Sequence, residues 1–144
     1  MILAIDIGNT SAHFARLENG VVKQQWRIPT AQLRPNKFRA SSFKSRIRGA
    51  EACVIASVVP AAGNFIKKIF RKEFNIKTYL AGKDFPIPIV NRYKNPRQVG
   101  VDRLLNALAA YEISKTETIV IDFGTAITFD VISKKGEYLG GVIA

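Results

Sequence analysis

A short apolar run ending in Asp-x-Gly occurs twice in this chain. Ile5-Asp6-Ile7-Gly8-Asn9-Thr10 aligns with Ile121-Asp122-Phe123-Gly124-Thr125-Ala126 at an offset of 116 residues. The residues after each copy match as well: a strand-like stretch, a glycine-containing turn (Gly20, Gly136), then another strand-like stretch. A supersecondary unit repeated at one offset constrains a fold more than either motif does alone.

The remaining pattern alternates strands with helices. Ile2–Ile7 reads as a buried strand, Ser11–Leu17 as a second, and Val21–Ile28 as a third, with Asn19-Gly20 as the hairpin turn between the last two. Residues 30–48 are polar and basic, predicted as helix plus loop. Cys53–Val59 is a buried strand stopped by Pro60. Phe65, Ile66, Ile69, Phe70 and Phe74 recur at helical spacing, so Gly63–Phe74 is an amphipathic helix with its lysines outside. Lys77–Ala81 is a short strand. Residues 82–101, with Pro86, Pro88, Pro96 and an exposed Tyr93, form an irregular stretch of the length that usually carries function. A helix runs from Asp102 to Ser114, then come strands Thr118–Asp122, Ile127–Ile132 and Tyr138–Ile143.

The result is an α/β chain in two unequal parts. Residues 1–115 give βββ-α-β-α-β-α, whereas 116–144 hold only the first three strands of a second copy. Those three strands would leave an apolar face without helices to cover it. The expectation is a truncated chain, or roughly another hundred residues on a separate one, a complete second copy forming two similar domains around a cleft.

Composition narrows the classes. At 47% hydrophobic residues the chain can build a real core. No apolar run approaches the roughly 18 residues of a membrane span, and MILAIDIGNT lacks the basic start and long apolar stretch of a secretory signal. A single cysteine, Cys53, excludes an internal disulfide framework, fits a reducing cytoplasm and reads as a small buried hydrophobe. The net charge of +11 favours polyanions in general. Its clusters are Arg34, Lys37, Arg39, Lys44, Arg46 and Arg48, then Lys67, Lys68, Arg71 and Lys72. A solvated basic face is preferred to a nucleic-acid or membrane patch. Phe38 and Phe43 are as easily core anchors as base-stacking platforms.

The paired turns suggest chemistry. A glycine after a strand lets backbone N–H groups approach an anion closely, and successive N–H groups can form an anion-binding nest. Asn9, Thr10, Ser11 and Thr125 add side-chain donors. An aspartate at the strand end repels phosphate, so its expected partner is a cation that bridges it to phosphate oxygens. Two such turns facing each other would clamp a polyphosphate and catalyse phosphoryl transfer by position and electrostatics. A chance turn sequence explains one copy, but poorly explains two in the same context. His13, the only histidine, reads as a polar sheet position rather than an acid–base group. Pro96-Arg97-Gln98-Val99-Gly100-Val101-Asp102-Arg103 leaves two readings open: Asp102 as a helix N-cap, or as a general base beside a carboxylate-clamping Arg103.

The order Asp-x-Gly-Asn-Thr, Gly-x-Asp-Arg before a Leu-rich helix, and Asp-x-Gly-Thr-Ala-x-Thr-x-Asp resembles the type III pantothenate kinase family along the whole chain. That family belongs to the acetate kinase/sugar kinase/Hsp70/actin superfamily. The resemblance implies a duplicated RNase H-like (actin-like ATPase) fold, with residues 1–115 as the first domain and 116–144 as the opening strands of an incomplete second copy. It also implies ATP-dependent phosphorylation of pantothenate to 4'-phosphopantothenate, the first step of coenzyme A synthesis. By position, Asp6, Ile7, Gly8, Asn9, Thr10, Ser11, Ala12 and His13 would form the first phosphate loop, and Thr125 would bind ATP. Tyr93, Gly100, Val101, Asp102 and Arg103 would contact pantothenate, with Asp102 as proton acceptor. Asp122 would hold a monovalent cation, potassium or ammonium. Members are cytoplasmic homodimers that also need magnesium (Mg2+). They usually carry Gly-Ala-Asp-Arg where this chain has Gly100-Val101-Asp102-Arg103. Their adenosine-binding segment comes after a Gly-Gly-x-Ile-x-Pro-Gly run, which Gly140-Gly141-Val142-Ile143-Ala144 enters without reaching Pro-Gly, so the adenosine pocket and part of the dimer interface are expected to be missing.

Two other classes stay in view. An RNase H-like nuclease would gather Asp6, Asp102, Asp122 and Asp130 around two divalent ions, and the basic charge would suit nucleic acid. A non-catalytic nucleic-acid-binding or regulatory relative would bind salt-sensitively without kinase activity.

Overall fold

The computed structural model describes residues 1–144, which divide into two compact units, Met1–Phe85 and Pro86–Ala144. The first holds a five-stranded mixed sheet. Its strands are β1 (Ile2–Ile7), β2 (Ser11–Glu18), β3 (Val21–Pro29), β4 (Ala52–Ser57) and β5 (Lys77–Leu80), in the order β3-β2-β1-β4-β5. β1, β2 and β3 form an antiparallel meander, and β4 and β5 join parallel to β1 and to each other. Asn19 and Gly20, at φ 51° and 76°, make the tight β2–β3 turn that the Asn-Gly pair requires.

Period-two alternation places Leu3, Ile5 and Ile7 of β1 in the core, joined by Ala12, Phe14, Cys53 and Ile55 from its neighbours. Helix α1 (Pro60–Phe74) covers this face with Ala62, Ile66 and Phe70, each burial contributing about 1.5–3 kcal/mol for a large side chain. Pro60 does not merely stop the preceding strand. It is the first residue of α1, where its missing N–H costs nothing, so the helix begins three residues before the expected Gly63. Gly63 is there for closeness: a Cβ would sit 3.0 Å from the Cβ of Ser57. Asn75, left-handed at φ 53°, ends α1, and the Ile76 N–H reaches back to the Phe70 carbonyl.

Residues 30–48 depart from the helix-plus-loop expectation. They form two short 3-10 turns, Thr30–Gln32 and Ala40–Phe43, linked by turns through a left-handed Asn36. Leu33, Phe43 and Ile47 are buried too irregularly spaced for an α-helical face, and they peg the basic segment onto the sheet. Phe14 stacks on Trp26 at 5.3 Å, Phe43 closes against both, and Phe38 packs on Phe43, so the aromatics are core anchors. Cys53 is fully buried, and burial pushes its thiol up to about 12, which makes it inert.

The second unit packs helix α2 (Val101–Ser114) on an antiparallel meander of β6 (Thr118–Phe123), β7 (Ile127–Ile132) and β8 (Tyr138–Ile143). Ala107 of α2 forms a buried core with Ile132 and Tyr138, against which Val120 packs. The alternate β6 side chains Ile119, Ile121 and Phe123 are exposed, Phe123 to 77%, so one apolar face of this sheet lies open, as expected for three strands without covering helices. The irregular stretch before α2 is pinned rather than loose: Tyr138 and Val90, then Arg92 and Tyr138, exchange backbone hydrogen bonds that add residues 90–92 to the edge of β8.

Candidate active site

The first turn grows out of β1. Because Leu3, Ile5 and Ile7 point inward, Asp6 is exposed at the strand end, opposite His13 of β2. Asn9 and Thr10 form the exposed tip. The Gly8 N–H donates to the Ser11 carbonyl at 3.0 Å, so this glycine closes the turn with its own N–H instead of offering it to a ligand. Thr30 then fixes the turn from the end of β3: its hydroxyl donates to the Gly8 carbonyl at 2.7 Å and its N–H to the Thr10 carbonyl at 2.9 Å. Nothing in local sequence marks Thr30, which lies 22 residues from Gly8. Ile7 and Ala12 are buried, so only their backbones can reach a ligand. Ser11 Oγ and His13 Nε2 lie 3.0 Å apart, which makes His13 a hydrogen-bonded member of the sheet surface.

The second turn is one residue shorter, Phe123 pairing with Ile127 where Ile7 pairs with Ala12. The Gly124 N–H donates to the Ala126 carbonyl at 3.1 Å, again spending the glycine donor internally. Asp122 and Thr125 are exposed, and the Asn106 amide of α2 donates to Asp122 Oδ2 at 3.3 Å. The fold itself does not require glycine at 124. Its φ lies outside the left-handed region, and a Cβ would meet nothing nearer than the Ala126 carbonyl at 3.6 Å, an ordinary contact.

Gly100, extended at φ −61° and ψ 147°, is the N-cap of α2, so the reading of Asp102 as the cap is corrected: Asp102 is the second helical residue. Its carboxylate accepts the Arg103 N–H at 2.8 Å, and the helix dipole favours an anion in this first turn. Arg103 turns its guanidinium to Asp130 of β7. Nε donates to Oδ1 at 2.8 Å, while Nη2 lies 2.6 Å from the same oxygen in a close ionic contact without hydrogen-bond geometry. Tyr138 donates its hydroxyl to that oxygen at 2.6 Å. Burial works against the Arg103 charge, yet the Asp130 carboxylate more than offsets this and leaves the guanidinium above its usual range. Burial and the hydrogen bond to Asp130 push the Tyr138 hydroxyl up as well. Arg103 thus pairs with a carboxylate of its own chain, Asp130. The trailing Asp of the second motif contains that signal without revealing the role.

Tyr93 is half-buried rather than exposed. Its ring packs with Val99, Ile132 and Tyr138 and lies over Gly140, where a Cβ would come within 2.9 Å of it. Its N–H is held by Asn91 Oδ1 at 3.0 Å. Tyr93, Gly100, Val101, Asp102 and Arg103 therefore sit together in the second unit, around the start of α2 and β8.

No group of three or more His, Cys, Asp or Glu side chains converges to hold an ion. Asp130 is buried and engaged, so a nuclease-type carboxylate cluster that includes it is not built. Single exposed carboxylates such as Asp122 suit a hard cation whose remaining ligands are phosphate oxygens and water. The basic charge is uneven: residues 1–85 hold 15 basic and 5 acidic side chains, and residues 86–144 hold 7 and 6.

A mixed sheet in the order β3-β2-β1-β4-β5, with an Asp-x-Gly turn at the end of its central strand, makes this an α/β fold. In agreement, the chain superposes on the crystal structure of a protein titled a 2-dehydro-3-deoxygalactonokinase from Sinorhizobium meliloti, with TM-score 0.54, 10% identity, and coverage of 99% of this chain and 53% of that one. This chain belongs to the type III pantothenate kinase family, whose model matches residues 2–144. It is 39% identical over 150 residues to the type III pantothenate kinase of Anaeromyxobacter sp. (strain K), covering 99% of this chain and 59% of that protein. Against the Syntrophobacter fumaroxidans enzyme the identity is 40% over 154 residues, covering 100% and 58%. The chain thus spans somewhat under 60% of the length of these curated relatives.

Proposed function

We propose that this chain supplies the phosphate-binding and pantothenate-binding parts of an enzyme that phosphorylates pantothenate with ATP. The observation that carries the reading is the Asp102–Arg103 pair at the start of α2, in a chain whose two Asp-x-Gly turns each close on the glycine N–H. Asp102 accepts the proton of the pantothenate hydroxyl as its oxygen attacks the γ-phosphorus. The bond from that phosphorus to the bridging oxygen breaks, and ADP leaves. Arg103 binds the pantothenate carboxylate, with Tyr93 and the Gly100–Val101 backbone shaping the same site. Asn9, Thr10, Ser11 and Thr125 bind ATP phosphates. The structure favours their side chains and the turn-tip backbone over Gly8 and Gly124 as the donors. The open space at Gly124 is where a ligand can approach the backbone closely.

Asp6 would hold Mg2+, and Asp122 potassium or ammonium, and these ions would neutralise phosphate charge. We further infer that residues 1–115 and 116–144 represent one RNase H-like unit and the start of a second. Both begin with an antiparallel meander whose first hairpin is an Asp-x-Gly turn. The working enzyme is a cytoplasmic homodimer. No helix is long and apolar enough to cross a membrane.

The test is a coupled ADP-release assay on the full-length protein with pantothenate, ATP, Mg2+ and potassium. Asp102→Asn should lower kcat by about a hundredfold or more, the usual contribution of a positioned base. Full turnover in that variant would remove the general-base role. Metal-dependent cleavage of an RNA–DNA hybrid, with no kinase activity, would instead favour the nuclease class.

A further inference from the structure

Arg103 is held by a device built from three other residues. Asp130 is fully buried, an expensive place for a carboxylate unless it is paired. One of its oxygens, Oδ1, takes the Arg103 Nε–H at 2.8 Å, the Arg103 Nη2 contact at 2.6 Å and the Tyr138 hydroxyl at 2.6 Å. The other, Oδ2, is buried with no hydrogen-bond partner, and so is Arg103 Nη2 in hydrogen-bonding terms. Gly141 makes the arrangement possible. A Cβ there would lie 2.6 Å from Arg103 Nη2 and 2.8 Å from Asp130 Oδ1. Two strands therefore converge on one guanidinium carried by α2: β7 through Asp130, and β8 through Tyr138 and Gly141.

This is more than a core ion pair needs. A guanidinium has five donors in a fixed fork, and the single hydrogen bond to Asp130 leaves most of them uncommitted. Tyr138 holds the oxygen that receives Arg103, which fixes the carboxylate and through it the plane of the fork. The arginine side chain is 14% exposed, so part of it still reaches the surface.

We infer that Asp130, held by Tyr138, is a positioning residue that orients Arg103 for the substrate carboxylate and so sets the preference for an acid over its neutral analogues. The inference rests on the reading of Arg103 as the pantothenate clamp. Asp130 touches no reacting atom. It fixes the direction of the Arg103 donors.

The experiment compares the full-length protein with Asp130→Asn and Tyr138→Phe, using two acceptors: pantothenate, and the analogue in which a primary alcohol replaces the carboxylate. Asp130→Asn should raise KM for pantothenate about tenfold or more, the scale of losing a charge-assisted orientation. KM for ATP should stay within about twofold, and KM for the alcohol analogue should not move, because that acceptor has no carboxylate for Arg103 to hold. Tyr138→Phe should show the same selective change at about threefold. Equal changes for both acceptors, or for ATP and pantothenate alike, would overturn the positioning role and leave a structural ion pair. If Asp130→Asn does not accumulate as folded protein, Tyr138→Phe decides: a selective rise supports the inference, and an unchanged pantothenate KM overturns it. Wild-type protein that does not phosphorylate pantothenate overturns this inference together with the reading beneath it. Wild-type activity with unchanged KM in both variants overturns the inference alone.

Discussion

The same substitution, glycine to alanine, should have opposite consequences at positions 124 and 141, and the difference can be worked from the backbone. At Gly141 a Cβ would lie 1.9 Å from the Phe129 carbonyl oxygen, against the paired strand β7. Backbone cannot swing aside as a flexible side chain does, so β7 and β8 must separate locally by about 1 Å or more before the contact becomes tolerable. Overpacking of this kind costs about 1–3 kcal/mol, and each ladder hydrogen bond strained beside it about another 1 kcal/mol. Arg103 and Asp130, both within 2.8 Å of the new methyl, are displaced as well. The expected loss is about 3 kcal/mol. At Gly124 the nearest atom is 3.6 Å away and φ is not left-handed, so a methyl fits. Removing glycine's freedom from the unfolded chain should then leave stability unchanged or raised by about 0.4–1 kcal/mol. The assay must read the second unit, because the single tryptophan, Trp26, reports on the first. Amide hydrogen exchange across residues 127–143 does so. Gly141→Ala should exchange about a hundredfold faster there, and Gly124→Ala no faster than wild type. Gly124→Ala should nevertheless weaken ATP binding in the full-length protein by about tenfold, because only a ligand meets the added methyl. A Gly124→Ala protein that loses more than about 1 kcal/mol would mean that the turn, not the ligand, needs the glycine. Unchanged exchange in Gly141→Ala would mean that β8 can relax in a way the paired register does not suggest.

Two further outcomes test the first unit. Phe43→Ala should destabilise it by about 3–5 kcal/mol, measured by urea denaturation with Trp26 fluorescence, since Phe43 is 5% exposed and packs on Phe14, Trp26 and Phe38. A loss under about 1 kcal/mol would show that residues 30–48 are not pegged to the sheet. Cys53 should resist a thiol reagent at pH 8 until the protein is unfolded. Its thiol ionises near 9.0 in the unfolded chain but only at about 12 when buried, so the folded state holds the extra proton and stability falls as pH rises between those values, by up to about 1.4 kcal/mol per pH unit. Cys53→Ala should lack that share of the slope, and an identical slope in both proteins would contradict the burial.

The elements that sequence pattern located are those whose signals are local. β1 alternates cleanly, α1 repeats its aromatics at helical spacing, and Asn19-Gly20 can close a hairpin on its own backbone preferences. Where the structure differs from the pattern, the deciding partner is distant or the spacing too sparse. Residues 30–48 have three pegs, Leu33, Phe43 and Ile47, whose meaning depends on Phe14 and Trp26 in other strands. Tyr93 lies in a proline-rich stretch that suggests exposure, yet β8 presents Gly140 for its ring to cover. The phosphate turns show the same division more sharply. The spacing of Asp, Gly and Thr marks the turns, but not the hydrogen bonds inside them. Those bonds consume the N–H of Gly8 and of Gly124, so on the proposed reading these glycines would serve a ligand by the side chain they lack and not by the donor they carry. Asp102 and Arg103 are adjacent in sequence and legible as a pair, whereas what aims Arg103 comes from 27 residues further on, in a strand whose sequence neighbours give Asp130 no visible task. A motif can name the groups that meet a substrate, because substrate chemistry limits which groups will do. The residues that hold those groups still are limited only by geometry, and that becomes readable once the strands are paired.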